Sequence, residues 1–308
     1  MNELFFDHEG RLRSGWRAVI FFIAYTLLAF ALVGFVVLVI APRVGLAETA
    51  TSPLAVAMPF AISAALALLV GWACSRLFEK LPYRSLGAGL TRGWLTHLVI
   101  GLVVGGIAFL IALFPTILAG GIHLSLNQLS PTSGIIETLL TTLLVLAVGA
   151  ASEETLFRGY MFQTLLRSGH TQFAVGMTAF LFASVHFANP DFDPISWLNT
   201  LIAGIWFAVA YLKTRDLWFP FGIHLAWNWL QGPVFGISVS GISGFASAPL
   251  FRATDTGPAW LTGGNYGIEG GLASTFALLL SIAMIWYLPG IKPDPEMIEL
   301  TSLKRPVS

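Results

Sequence analysis

Three short segments hold nearly all of the strongly polar side chains that fall inside apolar stretches of this chain. They are Glu153-Glu154-Thr155-Leu156-Phe157-Arg158, Phe182-x-x-x-His186 and His224-x-x-x-Asn228. Residues four apart share a helix face, so Glu154 can pair with Arg158, and Phe182 lies beneath His186 as His224 lies beneath Asn228. Glu153 sits about 100° around the helix from Glu154 and faces elsewhere. The Glu154–Arg158 pair neutralises a carboxylate that would otherwise be stranded, and it orients the helix end. Glu153 has no partner in its own helix. An unpaired carboxylate facing two histidines from other helices is a general-base or metal-ligand arrangement. Inside a bilayer an ionisable side chain is a functional candidate by default, because burying it costs several kcal/mol.

Each segment also has a plainer reading. A Glu-Glu-x-x-x-Arg helix end is commonly a solvated face, His186 could bond a neighbouring carbonyl, and His224 with Asn228 could be ordinary interhelical glue. Their occurrence together in one chain favours chemistry. Other routes find no support. Cys74 is the sole cysteine and lies away from the three segments, and Asp191, Asp193 and Asp216 fall in turns, so no Ser/His/Asp set forms. His8, His97, His123 and His170 sit at termini or edges of apolar runs and are expected to have no special role. Trp227 and Trp229 read as interface or lipid-contact residues, with lining of the substrate cavity as the alternative, and Glu137 and Glu269 as groups near outer span ends within reach of water.

These segments must be positioned by elements of an unusual composition. Of 308 residues, 56 % are hydrophobic and 10 % charged, with 16 basic and 16 acidic residues and a mean hydropathy of +0.79. Soluble domains carry roughly 25 % charged residues, and nucleic-acid binders need a basic surface; both classes are excluded, and no nucleic-acid partner is expected. One cysteine excludes a disulfide framework and a cysteine-ligated structural zinc. Solid apolar runs, each near the roughly 20 residues that a spanning helix needs, occur at 17–41, 53–76, 94–118, 133–157, 171–189, 195–213, 217–238 and 269–288. The expected fold is therefore an all-α polytopic membrane protein of about eight transmembrane helices. The first run is too long for a signal-peptide core and reads as a retained anchor.

Positive charge sets the expected orientation. With both termini cytoplasmic, 14 of the 16 Lys and Arg residues fall on the inside, and only Arg43 and Arg252 remain outside. This is the bias of the positive-inside rule. Three regions follow: 1–130, transmembrane helices without a motif; 131–240, the motif-bearing core; and 241–308, an outside loop, the last helix and a cytoplasmic tail. The long connection at 239–268, rich in Gly, Ser and Pro, reads as an outside loop. No internal repeat is present, so the inverted halves of many transporters find no support.

The three segments, in this order, resemble the motifs of the CAAX-protease and bacteriocin-processing family, intramembrane endopeptidases related to the eukaryotic CAAX prenyl endopeptidase. The resemblance covers about 130–235. It implies that Glu153 activates the attacking water with help from His186. His224 and Asn228 would donate to the tetrahedral oxyanion or complete a metal site, and Glu154, Arg158 and Phe182 would orient the others. The role of metal is open. Glu153, His186 and His224 could hold one zinc ion with water in the fourth position, but the HExxH zinc helix is absent and the resemblance is compatible with metal-free, glutamate-dependent chemistry.

Two function classes remain: an endopeptidase acting on a membrane-proximal or lipidated peptide, and a non-catalytic or transporter-like membrane protein reusing the polar cluster for binding or assembly. The expected partners are the lipid bilayer and a peptide substrate, and the short loops suggest a bacterial cell membrane. The cavity is expected to open to the cytoplasm. One geometric difficulty stands: Glu153 lies near the inner end of the fourth run, whereas His186 lies at the far end of the fifth.

Overall fold

The computed structural model describes residues 2–7, 10–43 and 53–302; His8, Lys304 and Arg305 lie outside them. Helix α1 is Ser14–Phe35, extended by a π-helical turn and Ala41–Arg43. It is followed by α2 (Pro53–Phe78), α3 (Trp94–Leu118), α4 (Thr132–Arg158), α5 (Tyr160–Arg167), α6 (Thr171–Val185), α7 (Pro194–Thr214), α8 (Trp218–Trp229), α9 (Leu272–Tyr287) and α10 (Pro295–Thr301).

The helices are wrong side out for water. On α3, Leu95, Val99, Val103, Leu110, Phe114 and Leu118 form an exposed apolar stripe, while Gly101, Gly105, Ala108 and Ala112 are buried on the opposite side. The chemistry of the outer stripe fits hydrocarbon, where helices satisfy their own backbone groups. Among the described residues, six segments are long and apolar enough to cross a membrane: Ser14–Arg43, Ala55–Phe78, Trp94–Leu118, Thr132–Arg167, Thr171–Ala188 and Pro194–Thr214. The expected seventh and eighth runs form shorter helices, α8 of 12 residues and α9 of 16. The structure therefore supports six spans by length rather than eight.

Helix α8 is short because it is enclosed. It packs against α3, α4 and α7 at once, and Phe219, Ile223, His224 and Trp227 are buried. Its crossing with α3 is a backbone-to-backbone contact: a Cβ on Gly101 would lie 2.5 Å from the Phe219 carbonyl oxygen, one on Gly105 2.3 Å from that of Ile223, and one on Gly222 2.5 Å from that of Leu98. Small residues at such spacing let membrane helices approach closely.

Two ends of the bundle differ in chemistry. At one, Glu79 accepts from the Arg167 guanidinium through both oxygens, at 3.0 and 2.8 Å, and pairs with Arg17 at 2.8 Å. Burial alone would raise the Glu79 carboxyl, but the guanidiniums of Arg167 and Arg17 outweigh it and hold it below the ordinary glutamate range. Arg84 pairs with Glu296 at this end, and His97 is bonded to the buried Asp216, so His97, expected to be idle, ties α3 to the α7–α8 turn. At the other end a two-stranded antiparallel sheet, β1 (Ile122–Leu126) with β2 (Phe251–Asp255), departs from the all-α expectation. Its second strand lies in the 239–268 connection and its first in the α3–α4 connection, so the longer connection is built rather than trailing: the Asn127 side chain donates to Pro249 O at 2.8 Å, and Asn189 donates to Ser240 O at 3.0 Å.

Candidate active site

The ionisable residues at the end of α4 are buried among aromatic rings. The Arg158 guanidinium lies 4.8 Å from the Phe182 ring centroid and 5.0 Å from that of Phe207, donates to Gly204 O at 2.9 Å and pairs with Glu154 at 3.5 Å. Ring faces attract a guanidinium most when it is desolvated, and Arg158 is fully buried. Phe182, four residues before His186, therefore has a physical role in its motif, as one wall of the arginine's box.

Glu154 also reaches α8. Its Oε1 accepts from Nδ1–H of His224 at 2.9 Å. The other ring nitrogen, Nε2, lies 3.7 Å from Glu153 Oε2. The imidazole is thus held between the two adjacent carboxylates, and Phe207 stacks on its face with centroids 4.6 Å apart and planes 17° from parallel. His186, at the end of α6, donates Nδ1–H to Phe182 O at 2.7 Å. That bond fixes the tautomer, so Nε2 is the nitrogen free to act.

Glu153, His186, His224 and Asn228 line one cavity of about 230 Å³, with Trp206, Phe207 and Trp227 among its apolar walls. Trp227 is buried and donates to Gln231 at 2.8 Å, so it is a cavity wall and not an interface residue. Trp229 instead donates to Leu139 O. Glu269 also lines the cavity. It was expected near a wet span end, but its Oε2 accepts from the Ser240 N–H at 2.7 Å and the Ser240 hydroxyl at 2.9 Å. Burial raises its carboxyl above the ordinary value, against the hydrogen bonds from Ser240. Phe207 and Glu269 carry no motif; nothing in their local sequence singles them out.

The depth difficulty resolves through α5. Gly159 ends α4 where a Cβ would lie 2.1 Å from Thr155 O, and α5 then continues toward the basic end. Tyr160 packs on Phe21 and Gly71, whereas Arg167 meets Glu79 beyond the end of α2. At 1.5 Å per residue, Glu153 is about 21 Å from Arg167 along α4–α5, and His186 about 22 Å from Thr171 along α6. The two meet at the same level because the chain goes on past Glu153 before turning back.

The cavity is also walled by Asn189, Ser240, Ile242 and Glu269, and by Phe60 of α2 and Val145 and Gly149 of α4. Glu153, His186 and His224 do not form a ready metal set: among the described residues no three His, Cys, Asp or Glu side chains are placed to hold a metal ion.

Fold and site together define a mostly helical membrane protein with a cavity among its helices, mostly apolar in lining, that gathers the polar motif residues. Residues 135–230 match the family model described as Type II CAAX prenyl endopeptidase Rce1-like. The segment spans all three motifs, so the resemblance to the CAAX protease family holds there, and it implies a membrane protease with a peptide substrate. No curated protein and no solved structure matches the chain.

Proposed function

We propose that this protein is an intramembrane endopeptidase that hydrolyses a peptide bond of a membrane-proximal or lipidated peptide. The observation that carries the reading is the convergence of Glu153, His186, His224 and Asn228, from three separate motifs, on one cavity. Glu153 takes a proton from water as the water oxygen attacks the scissile carbonyl carbon. His186 Nε2 accepts from the same water and holds it. The Asn228 amide, and His224 Nε2 when it carries a proton, donate to the oxyanion, the role that dominates many acyl-transfer sites. The proton on Glu153 then passes to the leaving amine nitrogen as the C–N bond breaks. Glu154 and Arg158 position His224 from behind. The catalytic steps need no metal from these residues. The basic end of the bundle faces the cytoplasm of a bacterial cell.

The test compares the termini of membrane peptides in cells carrying the native chain or Glu153→Gln. New termini that vanish with Glu153→Gln are the expected result. Identical termini in the two, with equal amounts of folded protein, refute the protease and leave the binding or assembly role.

A further inference from the structure

Apart from the active-site cavity, the structure has a second and larger hollow of about 1100 Å³. Helices α1 and α6 both pack on α5 and form its two walls, with Met161 and Leu165 of α5 between them. The walls run the same way, since Ser14 begins α1 and Thr171 begins α6 at the basic end, where Arg167 closes α5. From Arg17 to Ile23 on α1 is about 9 Å, and from Thr171 to Leu181 on α6 about 15 Å. The cleft therefore stays within one leaflet of a hydrocarbon core about 30 Å thick. Val19, Ile23 and Phe173 line it and are 45 %, 52 % and 58 % exposed, so its open side meets hydrocarbon.

The charged part of the lining gathers at one end. Among the described residues it holds four guanidiniums, Arg11, Arg13, Arg17 and Arg167, against two carboxylates, Asp7 and Glu79, an excess of two positive charges. Asp7 pairs with Arg11 at 3.1 Å on the rim. Deeper in, Arg17 and Arg167 share the single Glu79 carboxylate, and none of the three side chains is more than 9 % exposed. Two cations on one anion leave a buried positive charge over. Such a charge is costly without a counter-ion, and here it borders the cleft. A guanidinium matches a phosphate through paired N–H donors. Trp16, stacked on Phe5 with centroids 5.0 Å apart, also lines the cleft and marks the headgroup level, where indoles of membrane proteins gather.

Charge at one end and hydrocarbon along the rest is the outline of a phospholipid. We propose that the α1–α6 cleft binds one anionic glycerophospholipid from the leaflet at the basic end. Arg13, Arg17 and Arg167 hold its phosphodiester, and an acyl chain lies between Val19 and Ile23 on one wall and Met177 and Leu181 on the other. Basic pockets between membrane helices are sites for anionic headgroups of this kind. The lipid fills the gap between α1 and α6 and so fastens the first helix to the elements that separate Glu153 from His186 along the chain. The cleft and the active-site cavity share no lining residue, and the proposal does not depend on the endopeptidase reading.

Native mass spectrometry of the full chain in neutral detergent tests it. Phosphatidylglycerol and phosphatidylcholine of equal chain length are titrated separately. Thermal unfolding is followed with each lipid and with glycerol phosphate, which carries headgroup charge without acyl chains. The expected result is one phosphatidylglycerol held per chain where phosphatidylcholine is lost, with a rise in melting temperature that glycerol phosphate does not give. One basic residue beside an anionic headgroup is worth about fivefold in affinity. Arg13→Gln, at an exposed position, should weaken phosphatidylglycerol binding by that factor, and Met177→Trp, which fills the apolar part, should abolish it. Arg92→Gln, outside the cleft, should leave it unchanged. Both cleft variants keep the Arg17–Glu79–Arg167 set, and their melting temperatures without lipid report their folding. Equal retention of the two lipids, an equal effect of glycerol phosphate, or native affinity in Arg13→Gln overturns the proposal.

Discussion

Gly105→Ala tests whether the α3–α8 crossing sets the site. A Cβ at this position would lie 2.3 Å from Ile223 O and 2.8 Å from Ile223 Cα. Carbon contacts are optimal at about 3.5–4.0 Å, so α8 must retreat from α3 by about 1 Å. The carbonyl cannot swing aside, because it belongs to the helix backbone one residue before His224. Overpacking of this kind costs about 1–3 kcal/mol of stability. The larger effect is on geometry. His224 is held on the other side by Glu154 and Phe207, so a retreat presses the imidazole against those partners. A 1 Å misplacement of a reacting group lowers rate by about a hundredfold. Thermal unfolding in detergent and quantitative processing of membrane-peptide termini are measured side by side. Gly176→Ala serves as control, since a Cβ there meets nothing within 4 Å and Ala is the better helix former by about 1 kcal/mol. The expected outcome is a modest loss of melting temperature and a large loss of processing in Gly105→Ala, with neither in the control. Native stability and native processing in Gly105→Ala would refute the argument that close approach of these backbones places His224.

Three further predictions concern the charged groups. Glu79→Gln leaves Arg17 and Arg167 facing a neutral amide with side chains 8 % and 9 % exposed; removing one partner of a buried ion pair costs about 3–5 kcal/mol, and a melting temperature equal to the native one would contradict this. Because the folded carboxyl sits below its ordinary value, its contribution is complete above about pH 4.3, the unfolded value, and is lost as pH falls through the folded value. Stability of the native chain should drop across that acidic window and that of Glu79→Gln should drop less, as read by pH-dependent unfolding. Arg158→Ala strands the Glu154 carboxylate in the aromatic box and should lower both stability and processing; Arg158→Lys should lose less because it keeps the charge, but still lose some because it gives up the planar fork; equal melting temperatures for all three chains would remove the orienting role of the Glu154–Arg158 pair.

Much of this protein is legible in its residues. The apolar runs foretell every long helix, because a bilayer demands about 20 apolar residues of each spanning helix. The Glu154–Arg158 pair follows from helical spacing alone. Less visible is the crossing of α3 and α8. Gly101-x-x-x-Gly105 is a readable small-residue pattern, but its partner Gly222 is 117 residues beyond Gly105 and nothing local links them. The roles of Phe207 and Glu269 are hidden for the same reason: each meets His224 or the cavity across the fold, from a helix or loop without a motif.

What the sequence by itself determined is the class of molecule, the three polar segments and the sidedness of its charge. These depend on composition and on contacts within one helix, which residue spacing encodes directly. Only the tertiary structure decided that α8 is an enclosed helix of 12 residues, that His224 lies between Glu153 and Glu154, and that Glu153 and His186 share a level. Those outcomes depend on how far α5 carries the chain beyond Glu153 before α6 returns, and on backbones meeting at glycines far apart in the chain. Depth in a bundle is a sum over elements, and no single segment records it.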